Sequence, residues 1–545
     1  MKLPESLYGI MMLLFVLPTW MVLLFRPRAL FSCCLLAAII PHVVGQMRPT
    51  YHITPNTNWM NDPQRPFFHG GEWHLYYLYN ADWNKANPGA GGTEWYHVTS
   101  TDMVHWDNQG VAIRKYQPNS PDGVVLGDIE TGSSVVDSSN SAGFGNDAVV
   151  AILTQMQDGV QQQSLFYSKD QGYTFTAMEN NPVMPSPDRY SKPAFRDPKI
   201  FYDSEAEQWV IALAEGTKIG FYTSKDLKTW EFVSDFSPLD FGVDLGTLEC
   251  PDLFQIDLDG SSESRTWILA MGANGYLHGR TTGTVYWAGS WSGSTFTTTT
   301  TFPQWLDYGP DFYATVSWEN PDDRFASRYA VGWMNNWEYA ATLPYYDGYE
   351  GQQSMVREVK YRTINGTPTL VSSPIQGYEA LFTNSVSVES KPITTQAATA
   401  SLPVDQTGGA FVIHATVTKA DDDDGNEFHI RFKSDGTYYT DVGYSFANSQ
   451  VFLARDQDGS ATDTLATAPK EVWDAVRTGE NPAGGNTVKL TMYVDYNSVE
   501  VFVNDVGVVA MSALIYPNEG AEGLEIVTEY GSLTLDSFTY AGFEG

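Results

Sequence analysis

Cysteine is nearly absent from this chain. Three occur in 545 residues, and two of them, Cys33 and Cys34, fall inside an apolar leader. Cys250 is then alone in the body of the chain, which excludes an internal disulfide there and a zinc site of the cysteine kind. Basic residues are scarce as well: 31 Lys and Arg against 65 Asp and Glu give a net charge of −34. Phosphate backbones and anionic lipids are held by basic clusters, so nucleic acid and anionic membrane surfaces are poor partners. Charged residues make up only 18% of the chain, too few for a disordered segment or a coiled coil. No long stretch of the body carries a 3.6-residue apolar period, which argues against a helical architecture.

Long apolar runs occur only at the start. Leu7 to Phe25 is one, Arg26-Pro27-Arg28 follows, and Ala29 to Val44 is the second, with Gly45 before Gln46. A basic group, a short apolar core and a small-residue exit read as a secretory signal over residues 1–45, and so as export to the extracellular medium. Two runs are one more than a signal needs. Either translation starts at Met21, or residues 1–25 form a membrane anchor; Pro18 interrupts the first run and favours the former. A stable membrane association is not expected once the signal is removed. One sequon, Asn365-Gly366-Thr367, marks a surface turn.

From residue 46 to about 370 short apolar strands alternate with Gly, Pro, Asn and Asp turns, an all-β texture. Five apolar strands recur: Trp73-Tyr79, Val149-Met156, Trp209-Ala214, Trp267-Met271 and Tyr329-Met334. Their starts lie roughly 60 to 75 residues apart, a spacing that suits one four-stranded sheet per unit. A turn repeats behind three of them, with Ser100 and Asp102, Ser168 and Asp170, Ser224 and Asp226, each followed by an aromatic; Ser292 to Phe296 is a degenerate fourth copy. The expectation is a five-bladed β-propeller over 46–370. Residues 371–545 then read as a Thr- and Ala-rich linker and a β-sandwich, from alternation such as Val499-Glu500-Val501-Phe502-Val503. The run Asp421 to Asp424 reads as a solvated turn, since the ligand spacing of a calcium loop is missing.

Three carboxylates occupy like places in this repeat. Asp62, in Trp59-Met60-Asn61-Asp62-Pro63, Asp197, in Arg196-Asp197-Pro198, and Glu249, in Glu249-Cys250-Pro251, each precede the apolar strand of a unit. All three therefore fall on first strands, the ones nearest a propeller axis, and converge on one funnel. Like charges that close raise at least one pKa and leave one acid protonated near neutrality. Paired carboxyls are what glycoside hydrolysis requires: one protonates the leaving oxygen, another attacks or supports the anomeric carbon.

These motifs resemble the three signatures of glycoside hydrolase family 32, the invertases, inulinases and levanases. Asp307-Tyr308-Gly309-Pro310-Asp311-Phe312-Tyr313, Gly332-Trp333-Met334-Asn335-Asn336-Trp337 and Ser498 to Asn504 are similar to further family segments. The resemblance implies Asp62 as nucleophile, Glu249 as general acid and base, and Asp197 as transition-state stabiliser. Arg196 would hold the carboxylates, and Asn61, Trp59 and Trp95 would line the fructose pocket, with a core role for Trp95 the competing reading. Trp337 and Trp305 could stack sugars or serve as core, and Cys250 has no histidine partner nearby that would make it a nucleophile. No metal or organic cofactor is implied; the partner is a fructan or sucrose-type oligosaccharide.

Two departures concern specificity. Gln64-Arg65-Pro66 replaces the usual Asn-Gly, with Leu78 where many members carry glutamine, and Glu130-Thr131-Gly132-Ser133 replaces Phe-Ser-Gly-Ser. The changes at Gln64-Arg65-Pro66 and Leu78 resemble the levanase and levan fructotransferase branch, Glu130 makes a pocket wall acidic where it is commonly aromatic, and Gln64 and Glu130 join the candidate substrate contacts. The expectation is a secreted retaining β-fructofuranosidase, leaning to levan. A fructosyltransferase, an invertase or inulinase, a non-catalytic sugar-binding propeller and an arabinan or xylan hydrolase are the alternatives.

Overall fold

The computed structural model describes residues 48–544, apart from 85, 87–90, 117–126, 344–346, 395–408, 421–425 and 456–468. The leader, the acidic run at 421–424 and the later part of the linker lie outside the described residues. Among those described, no helix is long and apolar enough to cross a membrane.

Alternating apolar strands have to bury one face each, and here they do so as five antiparallel sheets followed by a sandwich. Blade I is β1 (Asn58–His69), β2 (Glu72–Asn80), β3 (Glu94–Ser100) and β4 (Asp107–Ile113); blade II is β5 (Asp128–Asp137), β6 (Ala148–Gln157), β7 (Val160–Ser168) and β8 (Thr176–Ala177). Blade III is β9 (Arg196–Asp203), β10 (Gln208–Ala214), β11 (Ile219–Ser224) and β12 (Glu231–Phe236). Blade IV is β13 (Glu249–Leu258), β14 (Ser261–Asn274), β15 (Thr282–Trp291) and β16 (Phe296–Thr297), with the short β17 (Gln304–Trp305) added to β15. Blade V is β18 (Tyr313–Glu319), β19 (Arg328–Trp333), β21 (Arg357–Ile364) and β22 (Thr367–Pro374); between them β20 (Tyr349–Glu350) crosses to pair in parallel with β1. That crossing ties the last blade to the first and closes the ring. The apolar repeat of the sequence is the second strand of each blade, packed on both faces.

The recurring serine–aspartate element is the turn after the third strand. Asp102, Asp170 and Asp226 each accept backbone amides within their turn, and the residue that follows sits at positive φ: Met103 63°, Gln171 67°, Leu227 61°. The side-chain oxygens hold the strained residue in place. Asn365 and Gly366 form the two-residue hairpin between β21 and β22, both at positive φ, as such a turn demands.

From Phe382 to Phe543 two antiparallel sheets, of seven and five strands, face each other. Ile413, Val501 and Met511 from one sheet meet Phe428, Ile430 and Val442 from the other in a dry core. The propeller meets the sandwich along a polar seam. The Arg357 guanidinium, wholly buried, donates to Glu500 at 3.0 Å and to Asp307 at 2.8 Å, and also to Ser512. His52 bridges Asp495 at 2.9 Å and Glu500 at 3.2 Å. Asp307 accepts the Ser512 amide and Asp311 the Leu514 amide, so residues 307–311 run alongside a sandwich strand. A side chain at Gly309 would strike the Ser512 backbone at 2.1 Å, which explains the glycine.

Two outcomes follow from this seam. Arg357→Met removes the cation shared by the buried Glu500 and Asp307, leaving Glu500 with His52 alone, and should cost ~3–5 kcal/mol, read as a lower first calorimetric transition. Burial alone would push His52 down, but the bonds it donates to Asp495 and Glu500 outweigh it and raise its pKa to about 9. A raised folded pKa gives stability that is complete below the unfolded value of 6.5 and is lost as pH rises through 9. Tm should therefore fall across that window, and His52→Gln should flatten the slope.

Candidate active site

The first strands of all five blades are bulged at the same height. Pairing slips between Met60 and Pro63 on β1, between Ile129 and Gly132 on β5, at Arg196 to Lys199 on β9, between Glu249 and Asp252 on β13, and between Tyr313 and Val316 on β18. Three non-glycine residues there take positive φ: Asp197 61°, Cys250 46° and Ala314 49°. A bulge inserts one residue and turns its side chain out of the alternation. Asp62, Glu130 and Asp197 lie within their bulges, Glu249 and Tyr313 are the paired residues just before theirs, and the five side chains gather at one end of the inner strands.

Asp62 is held by short contacts. Its Oδ2 accepts the Thr131 hydroxyl at 2.6 Å and its Oδ1 the Asn61 amide at 3.1 Å. Asn61 is itself fixed by the Trp59 indole N–H at 2.9 Å. Arg196 donates to Glu249 Oε1 at 2.7 Å, and the Tyr313 hydroxyl donates to the other oxygen at 2.5 Å. Asp197 accepts the Cys250 amide at 3.0 Å, with the Arg196 guanidinium at 4.0 Å. The Cys250 sulfur stands 3.7 Å from Asp62 and 3.7 Å from Asp197, so one atom spans the gap between the two carboxylates.

Four carboxyls around one arginine cannot all be ionised. Burial raises Asp62, assisted by the Glu249 charge and opposed by the Thr131 bond. Burial and Glu249 lift Asp197 to about 7, against the pull of Arg196. Glu130 is lifted to about 8 by burial and by Asp128, Asp197 and Asp62, so it is neutral at pH 7. Burial and the same anions push the Cys250 thiol well above its usual range, which removes the thiolate a nucleophile would need.

Two sequence candidates do not reach this pocket. Gln64 is fully buried, its amide donating to the Asp62 carbonyl at 2.9 Å and its oxygen accepting the Gly132 amide at 2.7 Å. Both ends are occupied by backbone, so it braces blade I against blade II and has nothing to offer a sugar. Trp95 is likewise fully buried, in the core between those blades, and its indole donates to the Glu130 carbonyl at 3.0 Å. Trp59 is nearly buried, ringed by Trp83, Trp333 and Trp337. Trp337 is 48% exposed and stacks 6.2 Å from Trp59, which makes it a lip of the pocket. Thr131 and Tyr313 were not singled out from sequence. Tyr313 lies 64 residues from its partner Glu249, and only the serial motif around it hinted at a role.

Below the carboxylates the axial channel is plugged by buried charge. Lys199 pairs with Asp252 at 2.8 Å, and Arg65 and Arg328 both hold Glu319.

Comparison with known proteins settles the family. A model of the glycosyl hydrolases family 32 N-terminal domain matches residues 52–374, and one of the family 32 C-terminal domain matches 377–541. The chain belongs to glycosyl hydrolase family 32. Within family 32, it is 36% identical over 506 residues to a levanbiose-producing levanase of Bacillus subtilis, covering 91% of each chain. It is 39% identical over 420 residues to a levanbiose-producing levanase of Geobacillus stearothermophilus, covering 75% of this chain and all of that one. In structure it is similar to the exo-inulinase of Aspergillus awamori, with a TM-score of 0.77 at 29% identity, covering 92% of this chain and 98% of the other.

The raised Glu130 pKa gives a direct test. Above pH 8 its charge adds a further anion beside Asp62 and Asp197, so kcat/KM should fall there. Glu130→Gln should move that alkaline limb to higher pH, measured between pH 5 and 10.

Proposed function

We propose that this enzyme is a secreted, retaining β-fructofuranosidase that hydrolyses fructans, with levan preferred and levanbiose the main product. The observation that carries the reading is the cluster itself: Asp62, Asp197 and Glu249 on three inner strands, around Arg196. The two levanases it resembles, both named as levanbiose-producing, support the linkage and the product. The leader over residues 1–45 supports export.

In the first step an Asp62 oxygen attacks the anomeric carbon of the fructosyl unit as the bond to the leaving oxygen breaks. Glu249 gives its proton to that oxygen, leaving a fructosyl ester on Asp62 and a carboxylate at Glu249. In the second step Glu249 takes a proton from water, the water oxygen attacks the same carbon, and the ester bond to Asp62 breaks. Two displacements return the original configuration, with the two carboxyls ~5–5.5 Å apart. Asp197 accepts bonds from sugar hydroxyls and stabilises the positive charge that develops on the ring. Arg196 and Tyr313 keep Glu249 aimed at the leaving oxygen, and Asn61 and Thr131 do the same for Asp62. Glu130, neutral and able to donate, faces the substrate where aromatic walls are usual, and Trp337 stacks on it from the lip.

Asp62→Ala should lower kcat by several orders of magnitude, about 10⁴-fold or more, with the fold unchanged by circular dichroism. NMR in the first minutes of levan hydrolysis should show the retained anomer; an inverted product rules out Asp62 as nucleophile. Chromatography of digests separates the alternatives: levanbiose from levan is expected, cyclic dianhydrides would indicate transfer, and release only from sucrose or inulin would overturn the levan preference.

A further inference from the structure

The five inner strands have two ends, and the catalytic cluster occupies only one. At the other end a cavity of about 350 Å³ opens on the propeller axis. Every blade contributes to it: Phe68 from β1, Val136 from β5, Tyr202 from β9, Gln255 from β13 and Glu319 from β18. Six residues of strand separate Asp62 from Phe68, about 20 Å at ~3.3 Å per residue. The plug of Lys199, Asp252, Arg65, Glu319 and Arg328 lies between, so this cavity is separate from the catalytic pocket.

Its walls are rich in aromatic rings. Trp73, Trp209, Trp267, Phe254 and Trp318 stand behind Phe68 and Tyr202. Phe68 is 49% exposed and Tyr202 is 42% exposed. Neither ring is loose: Phe68 packs 5.2 Å from Trp73, and Tyr202 meets Trp209 edge to face at 5.1 Å. Large aromatic surface left open and held rigid is the kind of area that a partner covers. Ser204 and Gln255 supply neutral hydrogen-bonding groups at the rim. Three arginines, Arg65, Arg324 and Arg328, face two carboxylates, Asp203 and Glu319, so a single excess positive charge remains. Arg65 and Arg328 are already committed to Glu319, and Arg324 lies over the Phe325 ring at 4.8 Å. An anion would find little unspent charge here. Fixed ring faces beside neutral donors and acceptors suit the C–H faces and hydroxyls of a sugar, and the volume falls within the roughly 300–1,000 Å³ of ordinary small-molecule sites.

We propose that this cavity is a second, non-catalytic sugar-binding site that holds a segment of the polymer whose end is cut in the funnel. That the sugar is fructan rests on the function proposed above. A long chain engaged at this face stays near the enzyme while the opposite face works on free ends, which raises the local concentration of substrate.

The test uses levan cast into a native gel and Glu249→Gln protein, which cannot digest it. The parent should be retarded by levan, and Phe68→Ala with Tyr202→Ala should weaken that retardation on the order of tenfold. With Glu249 restored, the same double variant should keep kcat/KM on a levan tetrasaccharide within about twofold of the parent, since neither ring touches the catalytic cluster. The two single substitutions should each give part of the loss, which separates a lost contact from a damaged fold. Equal retardation of parent and double variant overturns the second site. A parent with Glu249 that releases nothing from levan, inulin or sucrose overturns the catalytic reading instead. Retardation by a different neutral polysaccharide with none by levan overturns the assignment to fructan.

Discussion

The bulge at the same height in each of the five inner strands is the constraint from which the active site descends. A regular strand sends alternate side chains to opposite faces, and no regular strand could aim Asp62 while also burying its neighbours Met60 and Gln64. The slip in register frees one residue per strand from that alternation. Its cost is local strain, visible as positive φ at Asp197, Cys250 and Ala314. The strain is held by what surrounds it: the paired second strands, the Gln64 brace between blades I and II, and the closure of the ring by β20 on β1.

Electrostatics works against this geometry. The chain carries a large excess of negative charge, and the funnel concentrates four carboxyls around one guanidinium. The cluster can exist because it keeps protons: Glu130 stays neutral at pH 7 and Asp197 is lifted toward it. The same repulsion keeps the Cys250 sulfur a thiol, a small polarisable spacer between Asp62 and Asp197.

The architecture was legible in the chain because its signals are local and repeated. Five apolar second strands count the blades, and three Ser–Asp turns mark the same corner of successive sheets. The three acids were legible because each carries a proline next to it or one residue on, at a like place in the repeat. What failed was the sense of direction of single side chains. Gln64 and Trp95 lie within reach of the site in sequence, yet the bulge that exposes Asp62 turns Gln64 inward, and Trp95 faces the gap between blades. Thr131 and Tyr313 were missed for the converse reason: their partners lie 69 and 64 residues away, and only the ring of blades brings them together. The short parallel strand that closes the ring has no periodicity of its own to betray it.

The segment Asp307 to Asp311 links two matters that domain diagrams keep apart. Its carboxylates and backbone are bound by the strand that carries Ser512 and Leu514 in the sandwich, and two residues later the same segment delivers Tyr313 to Glu249. The sandwich is thus part of the tooling that sets Tyr313 and, through it, Glu249 in place. The C-terminal half of this chain is therefore not a free cassette. A sandwich grafted onto this propeller must bring a strand that fits against Gly309 with no clearance, or the graft will be felt as a displaced Glu249, 64 residues upstream of Tyr313.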